Sequence, residues 1–164
     1  MNIISHSLDE WVRLVSAGDG DKLELPLWLQ VKGNSMYPFI RSDTDKVILM
    51  PAKPEELKIG DIVLFPWKGT AADYCLHRIY KIDGDRVQTF GDGNRHPDGW
   101  ITKQEVLGKA VLIQRGKREI SCDDPKWVRR FRIWCSLWRI RGLLLLPVRV
   151  LNKIKRVFNR IFCK

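Results

Sequence analysis

Histidine and cysteine are scarce in this chain, at three and four of 164 residues. Cys75, Cys122, Cys135 and Cys163 form no Cys-x-x-Cys pair and are expected as free thiols in a reducing compartment. His96 stands near Asp92 and Asp98, but three such donors in one loop are a weak metal signal, so neither a metal nor another cofactor is expected. Long apolar runs are missing too. A membrane-spanning helix needs about 20 mostly apolar residues, and Arg139, Arg141 and Arg149 interrupt the richest stretch. Residues Met1 to His6 lack the basic region and apolar stretch of a secretory signal, which points to a cytoplasmic location. Internal repeats and low-complexity segments are absent as well.

Acid is missing from one end of the chain. The formal charge is +10, from 29 Lys and Arg against 19 Asp and Glu, yet twelve of the basic residues and none of the acids lie beyond Pro125. The first 125 residues are therefore nearly neutral, and the excess belongs to a tail. An apolar fraction of 45% fits a folded protein, and the length suits one domain with an appendage. Asp123-Asp124-Pro125 marks the change, since a capping residue followed by Pro opens helices. We expect a domain over 1–122 and a basic amphipathic helical tail over 123–164.

The body reads as mostly β. Short β-rich runs at Leu23–Val31, Lys46–Met50, Asp61–Phe65, Cys75–Ile82, Arg86–Phe90 and Gly108–Gln114 alternate with Gly, Pro and Asp turns. Asp83-Gly84 signals a hairpin, because this pair accepts the positive φ angles of tight turns. Ahead of these runs, Ser7 and Glu10 form a capping box, and Leu8, Trp11, Val12 and Val15 make one apolar side of a short helix. In the tail, Trp127, Phe131, Trp134 and Trp138 fall on one helical face among arginines. Pro147 should kink or restart that helix, and Leu151, Ile154, Phe158 and Ile161 form a second stripe. Such a helix suits an anionic membrane surface. A transporter or partner protein is the alternative docking surface, and the Trp and Leu content disfavours nucleic acid.

The chemistry-bearing residues are few. A serine hydroxyl is a poor nucleophile until a base takes its proton, and that base works best when a third group fixes its tautomer. Gly33-Asn34-Ser35-Met36-Tyr37-Pro38 offers an exposed serine, Leu76-His77-Arg78 a base, and Gly91-Asp92-Gly93-Asn94 with Asp98 an acid. Lys81, expected on the same strand face as His77, is a competing base, but at about 13 Å from position 77 along the strand the two cannot serve one serine. A histidine base implies activity near neutral pH, because imidazole titrates in that range.

These segments, taken in order with Lys58-Ile59-Gly60-Asp61-Ile62-Val63-Leu64-Phe65 and Val106-Leu107-Gly108-Lys109, resemble type I signal peptidases and LexA-like peptidases over roughly residues 27–115. The histidine at position 77 is similar to the base of the endoplasmic reticulum and archaeal type. The resemblance implies a signal-peptidase/LexA-like β-fold with Ser35 as nucleophile, His77 as general base and Asp98 as the orienting acid. Asp92 is the second candidate acid, and the backbone amide of Ser35 an oxyanion donor. It also implies small residues beside the cut. Three features depart from it. Gly33 stands where some relatives carry an oxyanion-donating serine, Gly93 replaces an asparagine of the eukaryotic type, and no long hydrophobic anchor precedes Ser35.

The expectation is thus a cytoplasmic, peripherally membrane-associated serine endopeptidase. It would remove leaders from a restricted set of peptide or protein substrates, docked on lipid through residues 126–164. Two alternatives stand: a non-catalytic peptide-binding module of the same fold, and a LexA-like self-cleaving protein cut at Ala71-Ala72 or Ala17-Gly18.

Overall fold

The computed structural model of the protein describes residues 8–17, 26–67, 74–137 and 139–147. Ser7 of the capping box, Ala71-Ala72, Gly18, Trp138, Cys163 and the stripe from Leu151 to Ile161 lie outside the described residues. Helix α1 (Leu8–Ser16) comes first, followed by strands β1 (Leu27–Gln30), β2 (Asp45–Pro51), β3 (Ile62–Pro66) and β4 (Tyr74–Asp83). Then come β5 (Arg86–Phe90), β6 (Trp100–Thr102), β7 (Gly108–Arg115) and β8 (Arg118–Ser121), and two helices, α2 (Pro125–Ser136) and α3 (Arg141–Leu144). The body is mostly β, as its alternating runs imply.

All pairings are antiparallel, in the order β1-β2-β7-β3-β4-β5-β6. The eighth strand also lies on β7. Strands β3 and β8 share one edge of β7: β3 pairs with Gly108 and Lys109, β8 with Leu112 to Arg115. The β4–β5 hairpin closes on the pair Asp83 and Arg86, with Gly84 at φ 53° supplying the positive angle. Asp83-Gly84 therefore does mark a hairpin, although the turn is centred one residue later. Strands β6 and β8 were not expected from the sequence. Each is an edge element of three or four residues, too short to show a period.

The sheet buries apolar residues on both faces, and β3 shows how. Ile62 and Leu64 enter a core with Trp11, Met36, Val47, Leu49 and Ile113, whereas Val63 and Phe65 enter a second core with Leu57, Ile79, Val87 and Val106. Side chains of successive strand residues point to opposite faces, so adjacent residues on the neighbouring strand serve different cores. Helix α1 docks on the first core through Trp11, with Leu8, Val12 and Val15 beside it. Gly108 makes this possible: a Cβ there would lie 2.7 Å from the Trp11 ring.

Asp124 caps α2 by accepting from the Lys126 amide at 2.7 Å, and Pro125 follows it in the first turn. The helix ends at Ser136, whose Oγ donates to the Ile133 carbonyl at 2.7 Å, an oxygen that also accepts from the Leu137 amide. The aromatic face expected to meet lipid is turned inward over this helix. Phe131 is buried, and Trp127, Phe131 and Trp134 pack their rings on Phe39 at centroid distances of 6.0, 4.6 and 6.0 Å. Ile133, Ile140, Leu143, Leu144 and Leu146 are exposed instead. No helix among the described residues is long and apolar enough to cross a membrane.

Candidate active site

Three segments meet where the sequence concentrates its chemistry. The first is the loop from Val31 to Asp45. Its ends are closed by the Asp43 amide on the Val31 carbonyl at 3.2 Å, and Asp43 itself takes φ 62°. Asp45 anchors it from below. Arg115 donates through Nε and Nη2 to this fully buried carboxylate, and Nη2 also reaches the Phe39 carbonyl at 2.8 Å. Burial by itself would raise the Asp45 pKa, but hydrogen bonds from Arg115, the Arg41 amide and Thr44, with the Arg115 charge, hold it below the ordinary value. Ser35 sits half-buried on this loop, before a cis Tyr37-Pro38 peptide.

Gly33, two residues before Ser35, has φ 88°, a conformation that L side chains rarely adopt, while the space around it is open. A serine there would be strained, so the backbone accounts for the missing hydroxyl donor. The second segment, Gly91 to Asn94, lies directly against the first. The Gly93 amide donates to the Ser35 carbonyl at 2.7 Å. A Cβ at Gly93 would come within 2.5 Å of the Asn34 carbonyl, and one at Gly91 within 2.7 Å of the Ser35 carbonyl. The glycine that departs from the eukaryotic pattern is thus required by the close approach of the two loops.

The third segment is β4. In its register with β3, His77 opposes Val63 and Arg78 opposes Ile62, so the neighbours emerge on opposite faces. His77, 4% exposed, donates from Nδ1 to Asp98 Oδ2 at 2.6 Å. The same oxygen accepts from Thr89 Oγ1 at 2.8 Å, while the Asp98 amide donates to the Thr89 carbonyl and Gln88 Nε2 to the Asp98 carbonyl. This bonding fixes the carboxylate and leaves the other ring nitrogen of His77, Nε2, as the one that can take a proton. The rings of Phe65 and Trp67 approach His77 edge-on at 6.4 and 6.0 Å and also wall a cavity of about 320 Å³ with Trp100 and Ile101.

Asp92 lies elsewhere. It is 1% exposed and accepts a bidentate pair from Arg78, Nε at 3.0 Å and Nη2 at 2.7 Å, while Arg78 Nη1 donates to the Gly60 carbonyl at 2.7 Å. Of the two candidate acids, only Asp98 is hydrogen-bonded to His77. Lys81 does not share the histidine's face: a register shift between Ile79 and Lys81 leaves it exposed, its ammonium 5.4 Å from the Tyr80 ring centre. His96 is exposed, and no group of three or more metal-ligating side chains occurs among the described residues. Cys75, near Asp98, has its thiol pushed up to about 12 by burial and by the Asp98 charge.

Among the described residues no hydrogen bond joins Ser35 to His77; the serine is placed by its loop's backbone bond to Gly93. The sequence reading missed Thr89 and Gln88, which hold Asp98, and gave Arg78 no role. Thr89 carries no local signal; Arg78 stood beside the histidine, but nothing in the sequence marked its side chain as buried.

Residues 15–111 match the Peptidase S24-like family, a stretch that contains Ser35, His77, Asp92 and Asp98. No curated protein and no solved structure matches the chain. More than half of the sequence, including every segment of the site just described, lies in the matched stretch, and the chain belongs to the Peptidase S24-like family.

Proposed function

We propose that the protein is a serine endopeptidase working through an acyl-enzyme, in the Ser-His-Asp manner of the endoplasmic reticulum and archaeal signal peptidases. The observation that carries this reading is the buried 2.6 Å bond from His77 Nδ1 to Asp98, on a strand beside the loop that presents Ser35. In the proposed reaction Ser35 Oγ attacks the scissile carbonyl as its proton passes to His77 Nε2. Asp98 stabilises the imidazolium that forms. The carbonyl oxygen becomes an oxyanion, met by the Ser35 backbone amide. His77 then gives its proton to the leaving amine, and water, deprotonated by the same nitrogen, hydrolyses the ester.

Residues 1–122 would form the peptidase domain. We place it at the cytoplasmic face of a membrane, trimming leaders from a restricted set of peptides. Support comes from the free thiols of Cys75 and Cys122 and from the acid-free basic tail. The surface offered to anionic lipid would be the exposed side chains of Ile140, Leu143, Leu144 and Leu146, in a tail rich in lysine and arginine. The test is cleavage of extended peptides with small residues at the cut, read by mass spectrometry. Products and a Ser35-linked acyl intermediate are expected from the native protein and neither from Ser35→Ala. A rival reading, a peptide-binding module, draws on the missing Ser35–His77 hydrogen bond; peptide retention without turnover, equal in Ser35→Ala, would favour it.

A further inference from the structure

We infer that helix α2, which lies beyond the residues matched to the family, is a positioning element of the peptidase centre rather than an appendage. This rests on the assignment of Ser35 and His77 proposed above. Three separate pieces must be aligned for that chemistry: the Ser35 loop, strand β4 and the Gly91–Asn94 turn. Helix α2 touches all three. Its Phe131 ring packs on Phe39 of the Ser35 loop at 4.6 Å and lies 3.7 Å from the guanidinium carbon of Arg78, the residue after His77. Its Trp134 Nε1 donates to the Asp92 carbonyl at 2.8 Å.

The last of these contacts is one residue from the nucleophile's own support. The peptide unit whose carbonyl Trp134 holds is the one whose amide, on Gly93, donates to the Ser35 carbonyl at 2.7 Å. Both ends of a single planar group are thereby fixed, one by the helix and one by the serine. Arg78 is 1% exposed, and a buried charge needs full pairing. Asp92 and the Gly60 carbonyl supply that pairing in the guanidinium plane, and the Phe131 ring covers the group. The helix therefore closes a chain from Phe39 through Phe131 and Arg78 to Asp92, and from Trp134 through Gly93 to Ser35. Ile133, on the same helix, is half exposed at 52% and takes no part.

The test compares Trp134→Phe, which keeps an aromatic ring, though a smaller one, and removes the N–H donor, with Phe131→Leu and with Ile133→Thr, in the full-length chain. Acylation of Ser35 by a β-lactam-like trap is followed by intact mass over a range of trap concentrations, separating the saturating rate constant from the half-saturation concentration. Urea unfolding of each variant establishes that the folded form is being measured. We expect the saturating rate to fall about threefold to tenfold in Trp134→Phe and up to about thirtyfold in Phe131→Leu. Half-saturation should stay within twofold, and Ile133→Thr should match the native rate. Native rates in both inward-facing variants, with only the urea midpoint lowered, would overturn the inference and reduce α2 to a structural support. If Phe131→Leu does not fold, Trp134→Phe decides alone. No Ser35 adduct in the native protein would instead refute the nucleophile assignment, a separate failure.

Discussion

Replacing Asp98 with Asn should remove most of the reactivity of Ser35 while leaving the fold in place. In the native site Asp98 Oδ2 accepts from both His77 Nδ1 and Thr89 Oγ1, at 2.6 and 2.8 Å. An asparagine can answer in two ways. With its oxygen at that position both donors stay satisfied, but the charge opposing a developing imidazolium is gone. At roughly 4 Å between charge centres and an effective dielectric constant of about 20, that charge is worth about 4 kcal/mol, or about a thousandfold in rate. With its NH2 group there, His77 must accept on Nδ1 and carry its proton on Nε2, where it cannot take the serine's; tautomer errors of this kind cost about 10⁴ in serine proteases. The acylation rate of Ser35, followed by intact mass with a β-lactam-like acylator, should therefore fall about 10³- to 10⁴-fold in Asp98→Asn. Asp92→Asn should show its loss first in stability, at about 3–5 kcal/mol, because it strips a buried arginine of its partner. Asp98→Asn reacting within threefold of the native protein, with an unchanged near-ultraviolet spectrum, would refute this reasoning.

Gly93→Ala should destabilise the protein by about 1–3 kcal/mol in urea and slow Ser35 labelling, since the added methyl group would meet the Asn34 carbonyl at 2.5 Å and push the two loops apart. Asp45 has a folded-state pKa below its ordinary 3.8, so the unfolded chain binds the proton more readily. Its contribution should be intact above about pH 4 and lost as pH falls through the lowered folded value, and Asp45→Asn should flatten that part of a stability-versus-pH curve. Cys75, with a thiol pushed up to about 12, should react with iodoacetamide at neutral pH far more slowly in the folded than in the urea-unfolded protein. Equal rates would contradict its burial beside Asp98.

The sheet was largely legible because its inner strands obey a simple rule. Val47 and Leu49 alternate with polar or less buried neighbours, and Gly84 marks the β4–β5 turn. The cap at Asp124 was equally plain. The acids of the site were harder. Asp92 and Asp98 stand six positions apart in a turn-rich stretch, and what separates them is tertiary: Arg78 emerges on one face of β4 and His77 on the other. The tail shows a different limit. The stripe of Trp127, Phe131 and Trp134 announces a face that must be covered, and periodicity says nothing of what covers it. Lipid and the protein's own Phe39 and Arg78 give the same pattern, and over α2 it is Phe39 and Arg78 that cover the stripe. The register shift after Ile79, which removes Lys81 from the histidine's face, likewise has no mark in the local sequence.

The central claim is that His77, oriented by Asp98, activates Ser35. Its most direct test is to treat the native protein, Ser35→Ala and His77→Ala with a peptide aldehyde and a β-lactam-like acylator, then locate any adduct by intact mass and peptide mapping. One adduct per native molecule, mapped to Ser35 and absent from both variants, is the predicted result. An adduct that persists at full rate in His77→Ala, or no adduct with either reagent on folded protein, would contradict it.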